Sequence, residues 1–249
     1  MSNGLESPAS PDDLYFARGP EVECFRPFMP GDVFRDLAIP GVDDEAGDEE
    51  RLAMVVTHPC SMRQGSALAT HLHAVRVRTS SRIIPPEKWT SGFFRIMPLP
   101  SLFHGRDTAN YEGVFDTLGR IRGDALLHDR RVASLSHDGL ALLQQRFVHH
   151  LTRVAVPKEQ LLEQMVHVLD EVELQEEWAR ELLENLPPAD LPARLQPEIE
   201  TFDAFLGAER EGGKSYRDDL RDPATRAAVR RAIRAEIKRR QGDAGAVID

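Results

Sequence analysis

Cysteine is almost missing from this 249-residue chain: Cys24 and Cys60 are the only two. That excludes a disulfide-stapled scaffold and a four-cysteine zinc site. Aromatic residues are sparse at 6%, so no base-stacking platform is advertised. No window approaches eighteen uninterrupted apolar residues, which excludes a membrane-spanning helix. The first nineteen residues lack a basic stretch followed by an apolar one, so no secretory leader is expected and a cytoplasmic location is the default. Gly212-Gly213-Lys214-Ser215 lacks the first glycine and the preceding strand of a phosphate-binding loop. No cofactor and no metal site are expected.

Charge is plentiful but uneven. The net charge is −10, which argues against a chain that binds phosphate backbones over its whole surface. Asp43 to Glu50 hold six carboxylates in eight positions and read as a solvated loop. Residues 159–203 carry thirteen acidic residues against Arg180 and Arg194, whereas residues 214–240 carry ten Lys or Arg against four acids. An acidic helical segment is thus followed by a basic one.

Periodicity divides the chain into a β part and an α part. Residues 1–24 read as a loose tail rich in Ser, Pro, Asp and Gly. Short strands are expected near 31–37, 52–57, 68–79, 92–99, 111–117 and 131–135, from alternation or compact apolar runs. Ser136 is the expected N-cap of a helix whose stripe is Leu140, Leu143, Phe147 and Leu151. The expected fold is α+β: a small barrel over 25–156 closed by this helix, then an acidic helical extension over 157–206 and a basic helix and tail over 207–249. Pro187, Pro188, Pro192 and Pro197 predict a rigid connector, and Asp222-Pro223 the opening of the last helix. The stripe of that helix, Val229, Ile233 and Ile237, is narrow, which predicts an independently mobile or conditionally docked segment.

Three stretches carry a family resemblance. They are Met29-Pro30-Gly31-Asp32-Val33-Phe34, Arg51-Leu52-Ala53-Met54-Val55-Val56, and Leu118 to Arg122 continuing to Arg130-Arg131-Val132-Ala133-Ser134-Leu135-Ser136. In this order, over residues 29–153, they resemble the MazF/PemK (Kid-like) toxins of bacterial toxin–antitoxin pairs. The resemblance implies an SH3-like β-barrel and metal-independent cleavage of RNA. It places the catalytic arginine on Arg51 and the catalytic threonine on Thr79. A guanidinium can stabilise a pentacoordinate phosphate by a bidentate pair, and a hydroxyl can orient the attacking oxygen. The competing reading pairs Arg51 with Glu49 or Glu50 and leaves Thr79 an ordinary strand residue.

Two other constellations are candidates. Thr57-His58-Pro59-Cys60-Ser61-Met62-Arg63 sets an imidazole, a thiol and a guanidinium at a strand end, where folds commonly place functional groups. His58, Cys60 and Arg63 are candidate ligand or nucleic-acid contacts; the alternative is a turn around a buried cysteine, with Cys60 slow to alkylate. His71 and His73 share a strand face, while the adjacent His149 and His150 diverge on a helix. On the basic helix Arg230, Arg231, Arg234 and Lys238 are candidate contacts to RNA. The same cations could instead dock on the acidic helices, within one chain or between copies, which is the alternative of a non-catalytic protein–protein interaction module.

Overall fold

The structure, a computed structural model, describes residues 4–42, 51–103, 110–210 and 212–245. The acidic block over 43–50 lies outside the described residues. Two compact units divide the chain. The first comprises residues 1–24 and 28–165; the second comprises 25–27 and 166–249.

The first unit is a curled antiparallel sheet with helices. Its strands are β1 (Tyr15–Arg18), β2 (Val33–Arg35), β3 (Leu52–Val55), β4 (Arg63–Gln64), β5 (Ala67–Leu68), β6 (His71–Ser80), β7 (Ile96–Leu99), β8 (Asn110–Val114), β9 (Gly119–Arg122) and β10 (Arg131–Leu135). The order is β1-β10-β2-β3-β6-β8-β7, with β9 on the first half of β6; β4 and β5 form a separate hairpin. The sheet makes a half-barrel whose edges, β1 and β7, are joined by side chains. Tyr15 donates its hydroxyl to the Pro100 carbonyl at 3.0 Å, and Arg18 donates to Ser101 O at 2.8 Å.

Alternation along the strands buries both sheet faces. Leu52, Met54, Val75, Val77, Met97 and Leu99 share one core with Leu142 and Leu143 of α2 (His137–Thr152). Ala53, Val55, Leu72, Ala74 and Ile121 share the other with Phe28, Phe34, Ile39 and Met62. The entry to β2 is a type II turn set by its sequence. Pro30 fixes the first corner, Gly31 takes φ +83°, and Asp32 N–H donates to Met29 O at 3.2 Å. A Cβ on Gly31 would lie 2.5 Å from Leu135 Cδ1, so strain and packing both require glycine.

Ser136 caps α2 as expected, accepting from Gly139 N–H at 3.0 Å. Leu140 and Leu143 are buried, but Leu151 is 60% exposed, because the helix runs past the sheet it covers. Arg146, by contrast, is completely buried on α2. Its guanidinium donates to four carbonyls, those of Trp89, Gly92, Phe93 and Ile96, at 2.6 to 3.3 Å. Burial alone lowers its pKa to about 10, so it stays charged at neutral pH.

The N-terminal segment corrects the expectation of a loose tail. Tyr15–Arg18 pairs with β10, Tyr15 opposite Leu135, and Glu6 and Gln145 exchange hydrogen bonds at 2.7 and 3.1 Å. Its polar composition hides a strand whose partner lies more than a hundred residues away.

The second unit is helical. It contains the α3 helix (Lys158–Leu183) from Val166 onward, α4 (Leu191–Gly207), α5 (Tyr216–Arg221) and α6 (Arg226–Gly245). The prolines break less than expected. Pro192 sits in the first turn of α4, where no donor is missed, and Pro197 is carried inside the helix. The last helix begins at Arg226 rather than at Pro223, after a turn in which the Asp222 carboxylate accepts from Ala224 N–H.

One core joins Leu174, Trp178, Phe202, Leu206, Leu220, Val229, Ile233 and Ile237. The acidic and basic segments are therefore parts of one unit, and the basic helix is docked on the acidic ones rather than independently mobile. Its narrow stripe is fully used: Val229, Ile233 and Ile237 are at most 4% exposed.

Candidate functional site

Charge on α6 is spent internally. Arg226 and Arg230 pair with Asp170, Arg230 also with Glu173 at 3.0 Å, Arg234 with Glu177 at 2.7 Å, and Arg240 with Glu198 at 2.6 Å. Neighbouring carboxylates hold the Arg230 and Arg234 guanidiniums above their ordinary pKa; at Arg230 this overcomes the opposing effect of burial. Of the four candidate contacts on this helix, Arg231, Arg234 and Lys238 are exposed, and Arg231 and Lys238 make no ion pair among the described residues.

The resemblance's two residues stand at the neighbouring ends of β3 and β6. Arg51 is exposed, one residue before β3, and Thr79 lies near the end of β6 opposite Tyr111. Leu52 pairs with Val77 without a bulge up to that point. Thr79 thus shares the face of Val75 and Val77, whereas Arg51 continues the phase of Ala53 and Val55. By that phase the two positions fall on opposite faces of the sheet.

The turn after β3 folds as α1 (Pro59–Met62), a single helical turn. His58 caps it, its Nδ1 accepting from Cys60 N–H at 3.3 Å; desolvation lowers the His58 pKa. Cys60 is exposed, which corrects the expectation of a buried thiol: Met62, not Cys60, is the residue this turn sends into the core. An alkylating reagent at neutral pH is therefore expected to label Cys60 before Cys24. Cys24 is partly buried, and that burial raises its thiol pKa. Peptide mapping by mass spectrometry gives the order, and earlier labelling of Cys24 would contradict it.

Arg63 leads from this turn into a cluster that the motifs did not reveal. It donates to Phe28 O at 3.0 Å. The Phe28 ring stacks on His128 at 4.2 Å and lies 5.2 Å from the Arg131 guanidinium. Arg131 in turn pairs with Asp32 at 3.1 Å, both side chains 0% exposed, and donates to Glu23 O at 2.6 Å. Burial, then the charges of Arg131 and Arg63, lowers the His128 pKa to about 3. The sequence signals were faint: Asp32 follows a Pro-Gly turn and Arg131 opens a strand, but nothing local links them.

The exposed polar strip lies elsewhere, on β6 and β9. His71 is opposite Arg122 and His73 opposite Arg120, and all four are exposed while Leu72 and Ile121 between them are buried. Cross-strand partners share a face, so the four side chains form one patch. Arg122 is bound by Asp124 at 2.9 Å, and Arg120 is left with no hydrogen bond or ion pair among the described residues. Thr57 Oγ1 accepts from the backbone N–H of His73 at 2.6 Å and fixes this end of the strand.

Elsewhere His149 packs on Phe94 and His150 on Phe115, so the adjacent histidines do diverge. Among the described residues no three His, Cys, Asp or Glu side chains gather to hold a metal ion. A hollow of about 200 Å³ touches Ser80, Arg82, Ile84, Asn110 and Tyr111, and is smaller than the roughly 300–1,000 Å³ of ordinary ligand sites. No described helix is long and apolar enough to cross a membrane. Comparison with protein families, characterised proteins and solved structures finds no match to this chain.

Proposed function

We propose that the first unit is a half-barrel of the SH3-like kind and that it binds single-stranded RNA without cutting it. One observation carries this reading: the exposed patch of His71, His73, Arg120 and Arg122 on adjoining strands. Guanidinium and imidazole groups both donate to phosphates and offer flat faces to unstacked bases. The strand phase that puts the Arg51 and Thr79 positions on opposite faces favours binding over cleavage. The reading of the charged C-terminal helices as an interaction module is weaker, because their charges already satisfy one another.

Anisotropy titration with a labelled single-stranded RNA at low salt tests the proposal. Wild type should bind and leave the RNA intact, with and without metal ions. Arg120→Ala with His73→Ala should weaken binding and reduce the salt slope by about 1 for each phosphate that is no longer neutralised. Arg51→Ala should bind as wild type does. Absence of binding by wild type would refute the reading, and so would RNA cleavage that disappears in Arg51→Ala.

A further inference from the structure

Three features stand outside the proposed RNA surface: the hollow beside Tyr111, the exposed Cys60 turn, and the buried cluster around His128. The hollow is shallow, and a lone thiol does not make a site. The cluster is different, because its parts constrain one another.

Phe28 is held from three directions. His128 stacks against its ring, Arg131 lies beside the same ring, and Arg63 holds its carbonyl. The aromatic packing continues to Phe34, 5.5 Å from Phe28, and so into the second core of the sheet. His128 Nδ1 is buried and has no hydrogen-bond partner among the described residues.

The charged groups around the imidazole come from three elements. Arg63 follows α1. Arg131 belongs to β10, and its charge is shared with the Asp32 carboxylate ahead of β2. Asp129 and Arg130 adjoin His128 in its own turn, Asp129 being exposed and Arg130 donating to Asp36 O at 3.2 Å. No described carboxylate forms an ion pair with the His128 ring.

We propose that His128 is an acid-sensitive latch: protonating its ring places a third cation beside Arg63 and Arg131 and releases Phe28 from the second core. The residues that loosen are Phe28 to Asp32 and the turn around His128. The helical unit is unaffected.

The direction of the pH dependence follows from proton linkage. The folded latch resists protonation, with a pKa near 3, while an unfolded histidine titrates near 6.5. The latched form is fully favoured above about pH 6.5. It weakens as pH falls below that value and loses nothing more below about pH 3. At pH 5 the closed-to-open ratio should be about 30-fold lower than at pH 7.5, tenfold for each pH unit below 6.5.

Hydrogen exchange of the full chain at pH 7.5 and pH 5, corrected for the intrinsic pH dependence of exchange, tests the latch. Protection should fall at residues 28–32 and 128–131 and stay constant in α6. His128→Phe keeps a stacked ring without a titrating group and should abolish the fall, whereas His149→Gln should leave it in place. A uniform loss of protection, or the same local loss in His128→Phe, would overturn the proposal. If His128→Phe does not fold, the wild-type imidazole can be titrated by NMR, where a His128 pKa of 6 or above would equally overturn it.

Discussion

Removing residues 214–249 should unfold the helical unit. The deletion takes Leu220, Val229, Ile233 and Ile237 out of a core of eight buried residues. At about 1.5–3 kcal/mol for each fully buried side chain, the loss is roughly 6–12 kcal/mol. That matches the roughly 5–15 kcal/mol that stabilises a whole domain. The deletion also strips the arginines from Asp170, Glu173, Glu177 and Glu198, leaving carboxylates to repel one another. Far-UV circular dichroism should lose more helix than the deleted residues account for. Ile233→Asp, a single change at a fully buried position, should act in the same direction. A truncated chain whose remaining helices melt as in wild type would show that α6 is dispensable.

Arg146→Met should produce the largest loss among single substitutions in the sheet unit. Four carbonyls from the loop between Trp89 and Ile96 converge on one guanidinium, with a Trp89 ring 5.5 Å away. Methionine fills much of the volume but donates nothing, and water must enter or the carbonyls stay unpaired. Each buried carbonyl left unpaired costs about 1–3 kcal/mol. Arg146→Lys should recover only part of it, since an ammonium has three donors on one nitrogen and no planar fork. Urea denaturation followed by tryptophan fluorescence, with the Trp178 signal of the helical unit subtracted by reference to its own transition, would report both, and a change under about 1 kcal/mol for methionine would contradict a structural role for the guanidinium.

Local chemistry made much of this molecule legible. The Pro30-Gly31 turn, the Ser136 cap, β3 and β10 all follow from residues within a few positions of one another, and the structure places them accordingly. What failed to show was non-local. Tyr15–Arg18 is a strand because β10 accepts it, and no property of its own neighbourhood says so. Val229, Ile233 and Ile237 look insufficient alone and become sufficient when Trp178 and Phe202 supply the opposite wall. The turn from His58 to Arg63 was legible as unusual, but its thiol faces outward, because a single helical turn sends Met62 inward instead. The ring that stacks on His128 stands a hundred residues upstream, beyond the reach of any spacing rule. Arg51 and Thr79 each occupy a plausible position, and only the strand register puts those positions in opposite phase.

The three-residue segment Phe25–Pro27 belongs to the helical unit although both its neighbours in sequence belong to the sheet unit. Arg26 pairs there with Glu176, 150 positions later, at 3.0 Å and with both side chains almost fully covered. The helical unit is consequently not a cassette that evolution or an engineer could move by cutting once. A graft of residues 166–249 onto another protein would inherit Glu176 with Arg180 alone to balance it, and water would have to take the place of the covered guanidinium. Synthesis has the same asymmetry. At about 5–20 residues per second, Arg26 is added to the chain roughly 8–30 s before Glu176. The helical unit therefore waits on a segment made long before the rest of it.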